Sequence, residues 1–331
     1  MNIIVFILGV WDYSYTFAID CVYDNNIFAY SQNYIEDFLA QTRPERFPFE
    51  TYDDLITASR LNLLIRNRFF GKRTTTFNIG VALNHYLINQ QKDFQKLDIG
   101  LRQSFGKSAV KLSYRLIPEY LIRYYKNPRS QNTEYIGCSV NYQTVSMKFS
   151  LFHFSPLLFH LTYRLKSDDY TTEFDRYDAV IHTGKVNMEF KLSRRFSLSS
   201  AYEFKVSKTD SGSNSGTGTD PVPDGDYQSQ TAGMGFDLEK KLVLPAELSI
   251  YYKYNFMNFS SGSILDSLHY SRQDHIHLLV FAVKFRLSPG LRLGISYTRR
   301  IRKATSLLFS EIDRIKNYDK HRIKTGIEFY Y

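Results

Sequence analysis

From residue 56 to the end, apolar and polar residues alternate one by one, in segments too long to be ordinary strands. Successive side chains of an extended chain point to opposite faces, so this period of two describes strands with one apolar and one polar face. Leu61, Leu63, Ile65 and Phe69 alternate with Asn62, Arg66 and Arg68. After a turn at Gly71-Lys72 the chain returns through Phe77, Ile79, Val81 and Leu83. It then runs out again through Leu97, Ile99, Leu101 and Phe105, with Asp98, Gly100, Arg102 and Ser104 opposite. Further segments fall at about 108–126, 134–152, 157–170, 177–192, 195–207, 227–241, 245–257, 273–287, 290–303 and 318–331, and one more near 13–24 brings the total to about fourteen. Their lengths, commonly 12 to 19 residues, exceed the roughly 3 to 10 of soluble strands. A tilted membrane strand of about 10 residues that extends beyond the lipid fits them.

The connections alternate too. Tight turns at 70–72, 105–107, 154–156, 193–195, 244–245 and 288–290 interleave with long polar segments, among them 25–55, 88–93, 167–176 and the low-complexity 207–226. Seven long loops and six short turns joining an even number of strands predict an all-β chain, a transmembrane antiparallel up-and-down β-barrel of about 14 strands with short periplasmic turns and long external loops. The alternative is a soluble two-sheet sandwich. A helical membrane protein is excluded, because the longest apolar run, Ile3 to Trp11, is about half the ~20 residues that a spanning helix needs. Composition agrees: 26 Tyr and 26 Phe make the chain 16% aromatic, while mean hydropathy is only −0.33.

The expected organisation is a single barrel domain over 13–331, preceded at 1–18 by a degenerate signal segment or a truncated start, since no Lys or Arg precedes the apolar run. A first strand is the competing reading of this segment. Cys21 and Cys138, both read at apolar-parity positions, offer no metal-ligand spacing and are expected to be small hydrophobes.

The chain ends Lys324-Thr325-Gly326-Ile327-Glu328-Phe329-Tyr330-Tyr331. Ile327, Phe329 and Tyr331 share one face, and Lys324, Gly326, Glu328 and Tyr330 the other. This octet resembles the C-terminal β-signal of porin-like outer-membrane β-barrels. The resemblance implies a Gram-negative-type outer membrane and its lipid, and a barrel assembly machinery that recognises Lys324, Gly326, Phe329 and Tyr331.

Polar parity places Arg60, Arg66, Arg68, Arg102, Lys111, Arg115, Arg164, Lys253, Arg286, Arg292, Arg300 and Arg302 on the pore-lining face, with further cations including Arg123, Lys148, Lys185 and Lys205. Only Asp98, Glu119, Glu189, Glu203, Asp237, Glu239 and Glu328 are read as opposing acids. Rings of Arg and Lys bias a pore toward anions. The expected function is therefore passage of small anionic solutes, against a non-conducting structural or surface-binding barrel and, third, an outer-membrane hydrolase. Net charge is +9, but the cations are spread at strand period over the whole chain, which argues against nucleic acid as a partner. No catalytic motif, metal site or cofactor is implied. The remaining candidates are Ser271, Asp274, His275 and His277 at a loop mouth, and the carboxylates Asp168, Asp169, Glu173, Asp175 and Asp178 as a Ca²⁺ loop.

Overall fold

The computed structural model describes residues 11–70, 73–130, 134–154, 156–209, 225–241, 244–261 and 264–331. Fourteen strands form a closed antiparallel barrel in which each pairs with its sequence neighbour. They are β1 (Asp12–Asp24), β2 (Asp54–Phe70), β3 (Arg73–Tyr86), β4 (Phe94–Phe105), β5 (Ser108–Lys126), β6 (Tyr135–Phe154) and β7 (Leu157–Tyr170). The second half comprises β8 (Ala179–Lys191), β9 (Phe196–Thr209), β10 (Tyr227–Lys241), β11 (Pro245–Phe259), β12 (Gln273–Ser288), β13 (Leu291–Thr305) and β14 (Tyr318–Tyr330). The sandwich alternative is thereby excluded. Closure leaves no edge strand, which is the condition for placing backbone amides in lipid.

The expected leader, 1–18, divides: residues 1–10 lie outside the described residues, and Asp12 to Ala18 are part of β1, paired with both β14 and β2. Most of the low-complexity stretch, 210–224, also lies outside the described residues, as does the 71–72 turn.

The wall closes between β1 and β14. Tyr15 and Tyr331 exchange backbone hydrogen bonds of 3.0 Å in each direction, and their rings stack at 5.0 Å. Phe17 stacks on Phe329 one pair further along. Tyr13, Phe17, Leu61, Leu101, Leu112, Leu161, Phe204, Phe281, Ile295 and Ile327 are exposed on the outer face, and together they form an apolar belt that only lipid can cover.

One stretch of wall is irregular. Around Pro118, β5 carries extra residues relative to β6 between Ile117 and Tyr120 and again between Leu121 and Arg123. Proline cannot donate to the ladder, so a bulge there is its natural setting.

The buried core lies at the long-loop end of the barrel. Residues 25–53, which include the helix α1 (Gln32–Leu39), bring Phe28, Tyr30, Phe38, Phe47 and Phe49 against Val22, Ile56 and Tyr86 of the wall. Ser31 caps α1 by accepting a hydrogen bond from the Tyr34 amide. The rings stack or meet edge-on, Phe28 with Phe49 at 4.1 Å and Tyr30 with Phe47 at 5.5 Å. A second short helix, α2 (Ile312–Lys316), lies against β13 and α1.

Candidate functional site

The register sets which side chains share the inner face, because direct cross-strand partners lie on the same side of the sheet. From Asp12 it runs to Arg66, then Thr76, Arg102, Lys111, Lys148, Thr162, Lys185 and Glu203, across β1 to β9. Arg102, Lys111 and Lys148 are consecutive in this row. Like charges directly opposite one another destabilise a sheet, and among the described residues none of the three has a carboxylate within ion-pair distance. Arg66 reaches Asp12 at 3.3 Å. Beside this row lies a cavity of about 420 Å³ lined by Asn62, Arg66, Asn78, Gly100, Arg102, Lys111 and Glu328.

A neighbouring cavity of about 460 Å³ is lined by Asp20, Arg60, Lys284, Arg292, Lys324 and Glu328. Three of the cations here have side-chain partners. Lys324 donates to Asp20 at 3.0 Å, and Arg60 lies 3.8 Å from the same carboxylate. Arg292 donates to the Tyr330 hydroxyl at 2.9 Å and stacks over its ring. Inward-facing Arg60 and Arg66 keep 41% and 43% of their side-chain surface exposed, so the lumen at the short-turn end is wide enough to be wet.

The other expected pore-lining cations fall as follows. Arg115 is bound to Asp98 at 2.6 Å. Arg164, facing Thr183, and Lys253, facing Gly233, lie on the inner wall of the far side. Arg286 opposes Arg292 near the short-turn end, Arg300 opposes Lys320 and stacks on Tyr318, and Arg302 reaches Asp274 at 2.5 Å. Arg68 falls between Asn67 and Phe70, where the register shifts, and has no cross-strand partner there. The inner acids outnumber the expected set. Asp20, Asp24, Glu247 and Asp274 also face inward, while Glu119 sits on the bulge with a φ of 47°. Asp24 alone holds Lys320 at 2.9 Å and Arg322 at 3.3 Å. Arg102, Lys111 and Lys148 thus form a run of directly opposed cations on β4 to β6, while Arg164, Lys253, Arg286 and Arg300 elsewhere on the inner wall also have no carboxylate within ion-pair distance among the described residues.

The hydrolase candidate does not assemble. Asp274 is fully buried on the inner face between Arg272 and Arg302, whereas His275 and His277 have the opposite parity and bond to Tyr254 and Tyr252. Neither do the loop carboxylates converge. Asp168 pairs with Lys166, Asp175 with Arg129, and Asp178 accepts from the Tyr170 amide. Among the described residues, no group of three or more His, Cys, Asp or Glu could hold a metal ion. Cys21 faces outward as expected, but Cys138 is buried on the inner side opposite Arg123, contrary to its expected parity.

The sequence reading missed the mouth. Lys92, in the turn Gln90–Lys92 between β3 and β4, is buried against the irregular part of β5 and donates to the carbonyls of Leu121 and Ile122. Its ammonium lies 5.2 Å from the Phe28 ring centre and 4.6 Å from that of Tyr120. Burial, with help from Arg123 and Lys320, lowers its pKa to about 7. Arg123 stacks on Tyr30 at 5.3 Å. Burial likewise holds Lys316 of α2 well below the ordinary lysine range. Cation–π contacts thus tie loops to wall across the long-loop end of the lumen. The available signal was the density of aromatic residues in a segment otherwise read as a polar loop.

No protein-family model and no curated protein matches this sequence. Solved structures do. The anion-selective porin from Comamonas acidovorans superposes with a TM-score of 0.50 at 9% identity, covering 98% of this chain and 100% of that one. The outer membrane channel DcaP of Acinetobacter baumannii gives 0.52 at 13% identity, covering 98% and 97%. At such identity the likeness is one of fold. With its apolar belt and closed wall, the chain has the architecture of an outer-membrane porin-like β-barrel.

Proposed function

We propose that this barrel forms a pore for small anionic solutes, selected by the inner-wall row Arg102, Lys111 and Lys148. The observation carrying the reading is that these cations face one another with no carboxylate within ion-pair distance among the described residues, beside a cavity that Glu328 also lines. A closed sheet gains nothing from such an arrangement, since interlocking with carboxylates, as Arg115 does with Asp98, would be cheaper. Fixed positive charge concentrates counter-ions in a confined aqueous space, which supplies the anion preference. Arg66 and Lys185 extend the row to either side.

The packing of residues 25–53 and α2 across the mouth favours a second reading, a non-conducting barrel closed from the long-loop side. Single-channel recording in a planar bilayer, with a salt gradient across it, separates the two. Conductance with a reversal potential of anion sign supports the proposal; cation sign overturns the selectivity, and no conductance at all favours the closed barrel. As a partner in biogenesis we assign the barrel assembly machinery, acting on β14 and the adjoining Tyr331.

A further inference from the structure

The outer wall carries titratable groups where lipid-facing strands usually carry none. His85, His182, His275, His277 and His321 share the outward parity, and each lies within a few residues of the long-loop end of its strand. Polar groups on this face sit at the boundary where the hydrocarbon belt ends.

Two of them form a built surface. Tyr254 meets Nδ1 of His275 at 2.7 Å, and Tyr252 meets Nδ1 of His277 at 2.8 Å. Phe256 packs on the His275 ring at 5.3 Å. Each imidazole is thereby fixed through one nitrogen, and its Nε2 has no partner among the described residues. When the tyrosine donates, Nε2 carries the proton and presents a donor. Directly across from His275 on β13 stands Lys303, exposed and without a carboxylate within ion-pair distance among the described residues. Asp319, the outward acid of β14, is already held by both Arg299 at 2.7 Å and His321 at 3.4 Å. The patch is thus a set of unanswered donors above an apolar belt.

We propose that the outer face of β12 and β13 at the long-loop rim, built on His275, His277 and Lys303, binds the phosphate-bearing head group of a membrane lipid. The acyl chains would lie along the belt below, over Leu279 and Phe281, and the phosphate would accept from the ammonium and the two imidazole edges.

The test uses the purified full chain in a neutral detergent, with bound lipid counted by native mass spectrometry. A bisphosphorylated glucosamine lipid is expected to be retained about tenfold better than its dephosphorylated form. In a His275→Gln, His277→Gln, Lys303→Gln variant the preference should fall to near unity. Should that variant fail to fold, Lys303→Gln alone, on the outer surface, should weaken retention about fivefold. Equal retention of the two lipids, or an undiminished preference in the variants, overturns the proposal. Displacement of the lipid by millimolar inorganic phosphate also overturns it, since the site would then serve free phosphate.

Discussion

Asp20 and Gly326 are direct partners across the seam between the first and last strands, and the carboxylate of Asp20 occupies the space that a side chain on residue 326 would need. The same carboxylate receives Lys324 and lies near Arg60. Glycine in the terminal strand therefore makes room for an ion cluster inside the barrel and for the Ile19 carbonyl, independently of any recognition during assembly.

Gly326→Ala is expected to destabilise the barrel by about 1–3 kcal/mol, as overpacking does. Denaturant unfolding in micelles measures it. Part of the loss should vanish in an Asp20→Ala background, the remainder reflecting the Ile19 carbonyl 3.0 Å from where the Cβ would lie, and an equal cost in both backgrounds would remove the carboxylate as the obstacle.

Deleting Tyr331 takes away two backbone hydrogen bonds and a ring stacked on Tyr15. For the finished barrel the stacking loss is only about 1 kcal/mol. The membrane-inserted yield in cells should fall much more steeply, because an edge used for recognition is needed before the wall closes. Quantitative blotting of membrane fractions against refolded stability would distinguish the two, and an unchanged yield would count against a terminal assembly signal.

Reversing charge on the row should move the reversal potential. Arg102→Glu with Lys111→Glu and Lys148→Glu is expected to turn an anion-preferring channel toward cations, whereas Arg302→Glu would chiefly leave Asp274 with Arg272 alone beside a new acid. In the unmodified chain the preference should fade between 0.1 M and 1 M salt, as the Debye length shrinks from about 10 Å to about 3 Å. Selectivity indifferent to salt would place its origin elsewhere.

The mouth should respond to pH through Lys92. In the packed mouth its pKa is about 7, against an ordinary value near 10.4 for a detached, solvated loop. Between these values the detached state holds the extra proton, so packing strengthens as pH rises through about 7 and is weakest below it. Hydrogen-exchange protection of residues 25–53, corrected for intrinsic rates, should increase by up to about tenfold per pH unit across that window. Lys92→Met should abolish the dependence.

The barrel was legible because its rule is local. A residue's face follows from whether its number is odd or even within a strand, so the strands and most of the inner cations could be placed without tertiary information. Three things escaped that rule. The partners of the acids of β1 and the pairing of Asp274 with Arg302 depend on which strands are neighbours. His275, His277 and Asp274 looked clustered because adjacency in sequence hides that neighbouring residues lie on opposite sides of the wall. Residues 25–53 carry no strand period, and their inward packing follows from apolar area, in Phe28, Tyr30, Phe38, Phe47 and Phe49, that water would not tolerate.

The irregular stretch of β5 makes a statement about insertions. One surplus residue inverts everything beyond it, like a frameshift; a second, a few positions later, restores the frame. Between Ile117 and Arg123, therefore, β5 tolerates changes of length only in pairs. Removing one residue there would turn Tyr125 outward, while removing Leu121 and Ile122 together would leave the faces of the wall as they are and take away the carbonyls on which Lys92 rests.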